Sequence, residues 1–142
     1  MKLNFTIQGK PIPKARPRLT RQGMAYTPKT TRDYERLVAK AASLAKPYEC
    51  PVSEPVNLQV KAYFPIPKSW TKTRRAMALD GRLMHVSKPD GSNILKSIED
   101  GLNGVIYQDD SQIVTSHIEK HYSDTPRVEV TVATIESKGS LI

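Results

Sequence analysis

Hydrophobic and polar positions alternate in two segments, one near the start of the chain and one in its middle. Apolar residues recur at every second position in residues 3–8 and again in residues 56–64. A period of two is typical of strands with one buried face, so both segments are predicted strands. Prolines follow each segment and resist continuation of a sheet. The predicted inward positions are Leu3, Phe5, Ile7, Val56, Leu58, Val60, Ala62 and Phe64.

Helical spacing of apolar residues marks an early helix of about 15–18 residues. We expect Thr27 to be its N-cap and Pro28 to open its first turn, because both residue types favour those positions. Pro47 ends it. Its predicted apolar face consists of Tyr34, Leu37, Val38, Ala41 and Leu44.

Two later helices are also predicted. The shorter spans residues 69–79, with Ser69 as its cap. The second spans residues 93–103, and Gly104 stands where a glycine commonly follows a helix C-terminus. Its apolar stripe consists of Ile94, Leu95, Ile98 and Leu102.

Turn residues divide the remaining segments into two predicted hairpins. The first covers residues 18–27 and turns at Gln22 and Gly23. The second pairs residues 113–122 with residues 127–135. The resulting order predicts one α+β domain over residues 1–142, a two-layer sandwich whose mixed or antiparallel sheet carries its helices on one face. The tail from Ser137 is predicted to fray.

Charge is distributed unevenly along the chain. The net charge is +8. Residues 1–46 carry eleven Lys and Arg against two acidic residues, whereas residues 87–142 carry five against nine. This pattern predicts a protein that binds a polyanion such as nucleic acid with one part and a metal with another. The alternative is an ordinary solvated basic surface. The candidate phosphate contacts are Lys14, Arg16, Arg18, Lys72, Arg74, Arg75 and Lys88.

Composition excludes several other classes of protein. Mean hydropathy is −0.48, and no apolar run approaches the roughly 20 residues of a membrane span. The first residues alternate instead of forming the apolar block of a signal peptide. Because Cys50 is the sole cysteine, an intrachain disulfide framework is excluded. We therefore expect a cytoplasmic protein without a membrane partner.

Acidic residues flank the helix predicted at residues 93–103. Asp90 lies in a Pro-Asp-Gly loop before it, and Asp109 and Asp110 lie in a loop after it. Each loop alone is typical of an ordinary turn. One short helix joins the two loops, however, so their carboxylates can meet at a common edge. Oxygen ligands from separate loops suit magnesium, which can activate water and stabilise charge on a phosphate.

The helix itself carries further candidates. Lys96 shares a face with Asn93 and Asp100, and Asp100 is its natural partner four residues later. Beside a metal, Lys96 can contact the scissile phosphate or the leaving oxygen. His117 and His121 share one face of a predicted strand and are interpreted as surface or phosphate contacts. No phosphate-binding loop, dinucleotide glycine pattern or zinc signature is present.

The central block resembles the RusA family of Holliday junction resolvases. It contains Pro89-Asp90, Asn93 and Lys96, then residues 100–104 as Asp-Gly-Leu-Asn-Gly, then residues 109–113 as Asp-Asp-Ser-Gln-Ile. Residues 9–18 resemble the start of prophage-type members. The resemblance implies a homodimeric α+β nuclease that binds four-way or branched DNA and makes paired nicks with magnesium or manganese.

The resemblance also assigns roles. It implies Asp90, position 92 and Asp110 as metal ligands and Lys96 as the catalytic lysine, with Asn93, Asp100 and Asp109 supporting them. This chain departs from the family pattern, since Ser92 stands where the family has aspartate. A neutral hydroxyl is a poorer magnesium ligand than a carboxylate, so the departure predicts an intact fold with impaired catalysis. A catalytically inactive junction-binding protein and an RNA-binding module remain as alternatives.

Overall fold

The computed structural model describes residues 1–136, and the tail from Ser137 lies outside them. A four-stranded mixed sheet forms the centre of the fold, with a separate two-stranded hairpin near the start. No helix in the described part has the length and apolarity that a membrane crossing requires. The elements are β1 (Lys2–Gln8), β2 (Arg18–Leu19), β3 (Ala25–Tyr26), α1 (Lys29–Ala45), β4 (Val56–Pro65), α2 (Lys72–Leu79), α3 (Gly91–Leu102), a 3-10 turn (Asp110–Gln112), β5 (Ile113–Ser123) and β6 (Arg127–Thr134).

Strand β4 lies inside the sheet. Its burial pattern confirms the one-sided strand that the alternating sequence predicted. Its five predicted inward residues, from Val56 to Phe64, are all at most 2% exposed. They face a core to which α1 and α3 contribute Val38, Ile94 and Ile98. The opposite face of β4 is more exposed. Three helices and a mixed sheet of four strands confirm the α+β prediction.

The predicted hairpin of the last two strands is wrong. The sheet order is β1-β6-β4-β5, so β4 lies between β5 and β6, parallel to the first and antiparallel to the second. Only residues 124–126 connect β5 to β6. Three residues are long enough to cross β4, because β5 and β6 lie two strand spacings apart, which is roughly 10 Å. The early hairpin is confirmed as the pairing of β2 with β3.

Two predicted helix caps are corrected. The N-cap of α1 is Pro28, with no side-chain hydrogen bond, and not Thr27. The cap of α2 is Thr71 in place of Ser69, since the Thr71 hydroxyl accepts a hydrogen bond from the Arg74 backbone N–H at 3.3 Å. The C-terminus of α3 agrees with its prediction: Gly104 has φ +78°, a left-handed conformation that glycine adopts without strain.

The buried face of α1 is also corrected. Leu37 and Leu44, predicted to face the core, are 45% and 82% exposed. The buried positions of α1 pack instead toward α3 and β1. They are Thr31, Tyr34, Val38 and Ala42.

The close approach of α1 to α3 gives a stability prediction. A Cβ atom at Gly101 would lie 2.7 Å from the Val38 side chain and 3.1 Å from the Glu35 carbonyl oxygen. We therefore expect Gly101→Ala to lower the free energy of unfolding by about 1–3 kcal/mol through overpacking. Urea denaturation measures this. Gly91→Ala is the control, because its Cβ would meet only the Ile118 side chain at 3.3 Å, and an equal loss in both variants would contradict the packing argument.

Candidate active site

The first candidate ligand lies at the start of α3. Asp90 is the helix N-cap, and its carbonyl oxygen accepts hydrogen bonds from the backbone N–H groups of Asn93 and Ile94. Its carboxylate makes no capping hydrogen bond and is exposed. Because α3 begins at Gly91, two residues earlier than predicted, Ser92 is not the cap. It lies exposed in the first turn, where serine or aspartate leaves the helix start unchanged.

The second acidic loop forms the 3-10 turn. The Asp109 carboxylate accepts a hydrogen bond from the Ser111 backbone N–H at 3.0 Å. The Ser111 side chain is the main cause of a lowered pKa for Asp109, and this backbone bond adds to it. The Gln112 side chain completes a reciprocal capping box by accepting from the Asp109 backbone N–H. Asp109 therefore stabilises the turn, which leaves the Asp110 carboxylate to face α3.

Lys96 joins the two acidic regions. Its ammonium lies 3.1 Å from Asp100 Oδ1 and 3.3 Å from Asp110 Oδ2. The hydrogen bond to Asp100 is the main cause of a raised pKa for Lys96, and Asp110 adds to it. The predicted pairing of Lys96 with Asp100 is thus present, and Asp110 joins the same cluster.

The cluster extends to the N-terminal loop and α1. Lys14 Nζ lies 3.0 Å from Asp100 Oδ2 and 2.9 Å from Glu35 Oε1. Partial burial lowers the pKa of Lys14, but its bonds to Glu35 and Asp100 outweigh burial and raise it. We call the resulting chain the charge network: Glu35, Lys14, Asp100, Lys96 and Asp110.

Glu35 is the site residue that the sequence reading missed. It lies on the stripe of α1 that contains buried Thr31, Val38 and Ala42, where a carboxylate requires a partner. The position of Glu35 on this buried stripe was the signal in the sequence that could have identified it. Lys14, predicted to contact phosphate, is held by two carboxylates in this structure.

The donor set for a metal is incomplete in this chain. Residues 1–136 contain no group of three or more His, Cys, Asp or Glu side chains arranged to hold a metal ion. Among the predicted ligands, Asp90 and Asp110 offer carboxylates and Ser92 offers a neutral hydroxyl. Two carboxylates alone do not fit the oxygen-rich shell that a firmly held divalent ion requires.

Apart from Lys14, the predicted DNA contacts fall into two groups. Arg16, Arg18, Lys72 and Lys88 are exposed, and none of them makes an ion pair within the described residues. The arginines of α2 contact their own chain: Arg74 lies 4.0 Å from the centre of the Trp70 ring, and Arg75 donates to the Pro67 carbonyl oxygen at 3.2 Å.

Two histidines lie on the polar face of the sheet, away from α1 and α3. His117 and His121 both bond to Glu119, at 2.8 Å each. These bonds lower the pKa of Glu119, with His121 the larger cause. The predicted common face is confirmed. His85 differs, since it is buried and stacks on Phe64 at 3.9 Å between ring centres.

A comparison with known families covers the residues of this site. The family model described as "Endodeoxyribonuclease RusA" matches residues 8–133. The chain belongs to the RusA family. The match includes the charge network, Asp90 and the basic N-terminal loop. A relative from Bacillus subtilis (strain 168), the "Uncharacterized protein YqaN", is 37% identical over 140 residues, which span 95% of this chain and 98% of the relative.

Proposed function

We propose that this RusA-family chain binds four-way DNA junctions and is built as a resolvase, a nuclease that makes paired symmetric nicks. The observation that carries the proposal is the contact of Lys96 with Asp110 at 3.3 Å, which joins the 3-10 turn before β5 to α3. Family membership supports the nuclease class. The basic N-terminal region supports a polyanionic substrate.

The proposed roles follow from position. Lys96 carries a positive charge held between two carboxylates, so its ammonium can approach a phosphate and stabilise the charge that develops on the leaving oxygen. Asp100 orients Lys96 together with Asp110, through contacts of 3.1 and 3.3 Å. Within residues 1–136 the Asp90 carboxylate makes no capping hydrogen bond and lies at the N-terminus of the same helix, and Asn93 lies one turn further along.

We propose Asp90, position 92 and Asp110 as the family's metal positions, with magnesium, or manganese, as the ion. When bound, such an ion supplies a water of lowered pKa and stabilises charge on the phosphate. Ser92 weakens this set of metal ligands, because its hydroxyl is neutral. The second candidate function is therefore a junction-binding protein with little nuclease activity, and Ser92 is the observation that favours it. Either activity would be exercised in the cytoplasm.

Arg16 and Arg18 are the strongest candidates for phosphate contacts. We expect Arg16→Ala and Arg18→Ala each to weaken junction binding and to reduce the slope of log K against log salt by about 0.9, because each contact releases roughly one counterion. Binding titrations over a range of salt concentrations measure the slope. Arg82→Ala is the matched control, since the Arg82 guanidinium already lies 2.8 Å from the Asp80 carboxylate. A slope unchanged in both arginine variants would remove them from the interface.

We also propose a homodimer. Paired nicks in a nearly two-fold junction require two opposed sites, and the chain offers one cluster of this kind among its described residues. Light scattering at micromolar concentration should give twice the mass of the chain. A monomer that binds junctions tightly would contradict this.

One experiment distinguishes the alternative of an RNA-binding module from both DNA-binding proposals. Filter-binding competition between a four-way DNA junction and a structured RNA of equal length tests the substrate class. We expect the junction to compete better. Preference for the RNA would overturn the proposed function.

A further inference from the structure

A cavity of about 560 Å³ opens beside Asp90, between the N-terminal loop, the start of α1 and the start of α3. Its size falls within the roughly 300–1,000 Å³ typical of small-ligand sites. Lys14 is the only member of the charge network that borders it, and Asp90 is the only one of the proposed metal positions in its wall.

The walls of the cavity are mostly apolar. Pro11, Ile12, Pro13, Ala15 and Pro89 line it. Prolines contribute no backbone N–H, so this apolar part of the lining offers no hydrogen-bond donors to an anion. They suit instead the flat apolar face of a ring.

A few polar groups border the same space. Asn93 and Thr30 line it, and neither side chain makes a hydrogen bond within residues 1–136. An amide offers both a donor and an acceptor, which is what the edge of a nucleobase requires. Lys10 and Lys88 are exposed at the cavity and add positive charge where a DNA backbone would pass.

The walls are fixed in place before any ligand binds. The Lys14 backbone N–H donates to the Asn93 carbonyl oxygen at 2.9 Å, and the Ala15 N–H donates to Thr31 Oγ1 at 3.2 Å. Ser97 Oγ donates to the Ile12 carbonyl oxygen at 2.8 Å. Three bonds thus tie the loop to α1 and α3, and such preorganisation lowers the cost of ordering on binding.

We infer that this cavity receives one unstacked nucleobase of the DNA strand that passes Asp90. The inference rests on the proposed function and adds a base-reading site to it. Base extrusion costs a few kcal/mol and least where stacking is already interrupted, as it is at the crossover of a four-way junction. Asn93 then reads the edge of the base, so the cavity contributes sequence preference to a protein that otherwise recognises shape.

The test places 2-aminopurine, whose fluorescence rises on unstacking, at each position around the crossover of a four-way junction. The full chain should raise the fluorescence several-fold at one position. Ala15→Leu, which fills the cavity, should abolish that rise while the junction is still shifted in a gel. Thr30→Leu, at an exposed position of the cavity, should reduce it. Ala45→Leu, at the exposed far end of α1, should behave as the unmodified protein.

The outcomes separate this inference from the proposed function. A shifted junction with no fluorescence rise at any position would overturn the cavity assignment and leave junction binding standing. A rise that persists unchanged in both Ala15→Leu and Thr30→Leu would also overturn it. No shift of the junction at all would overturn the proposed function, and the cavity assignment with it.

Discussion

Ser92→Asp is expected to raise magnesium-dependent cleavage of a four-way junction by at least about 100-fold, because even groups that only support metal ligands are worth 10–100-fold. The exposed position of Ser92 in the first turn of α3 allows the change without disturbing the helix. Junction affinity should change little, since Lys and Arg contacts to phosphate dominate binding. Single-turnover cleavage and gel shift, measured on the same junction, check both expectations.

The controls for this variant lie in the same site. Asp90→Asn or Asp110→Asn, introduced together with Ser92→Asp, should abolish the gained activity, and Lys96→Ala should impair cleavage more than binding. Ser92→Asn changes the size of the side chain without adding charge and should remain weak. Robust cleavage by the unmodified chain, unaffected by Ser92→Asp, would show that position 92 is not a ligand and would move attention to Asp109 or Asp100.

Asp100→Asn is expected to reduce the cleavage of the Ser92→Asp protein by roughly 10–100-fold, as removal of a group that positions a reactive side chain commonly does. Asp100 is the shared anion of Lys14 and Lys96, with contacts of 3.0 and 3.1 Å. The same change should lower the free energy of unfolding by about 1–2 kcal/mol, between the values for exposed and buried pairs. Cleavage rates and urea denaturation measure the two effects.

Glu35→Gln is the matched control for this second prediction. It removes the other partner of Lys14 but leaves Lys96 paired with Asp100 and Asp110. We expect it to reduce stability and to leave cleavage within a few-fold. Equal losses of cleavage in both variants would mean that Asp100 acts through stability alone.

The pH dependence of stability gives the network a second signature. Lys14 and Lys96 have raised pKa values in the fold. Their contribution is therefore complete below the ordinary lysine pKa of 10.5 and is lost as the pH rises through the raised values. On the alkaline side, the difference in unfolding free energy between the unmodified chain and Asp100→Asn should shrink as the pH rises above 10.5.

Local sequence pattern predicted the elements of the fold better than their arrangement. The alternation in β4 identified its buried face because a period of two leaves little choice when one face is covered. The pairing of β5 and β6 could not be read from the three residues that connect them, since such a link serves a hairpin or a step across β4 equally well. Leu37 and Leu44 had helical spacing, but the packing of α1 on α3 and β1 selected a neighbouring stripe.

In the candidate site, too, local contacts could be predicted from the sequence and long-range contacts could not. Lys96 and Asp100 are four residues apart on one helix, so their pairing was readable. Glu35 and Lys14 are 21 residues apart, and only the tertiary fold brings them together. The cavity beside Asp90 could likewise not be predicted from the sequence, because three separate segments form its walls.

Competition between a four-way junction and a linear duplex of equal length, at moderate salt, tests the central claim most directly. Both DNAs carry the same phosphate charge per base pair, so counterion release alone gives similar affinity for an equal number of contacts. If the chain is a junction-binding member of the RusA family, the junction should displace the duplex at much lower competitor concentration, with or without magnesium. Equal affinity for the two DNAs would contradict structure-selective binding and reduce the protein to a general DNA-binding one.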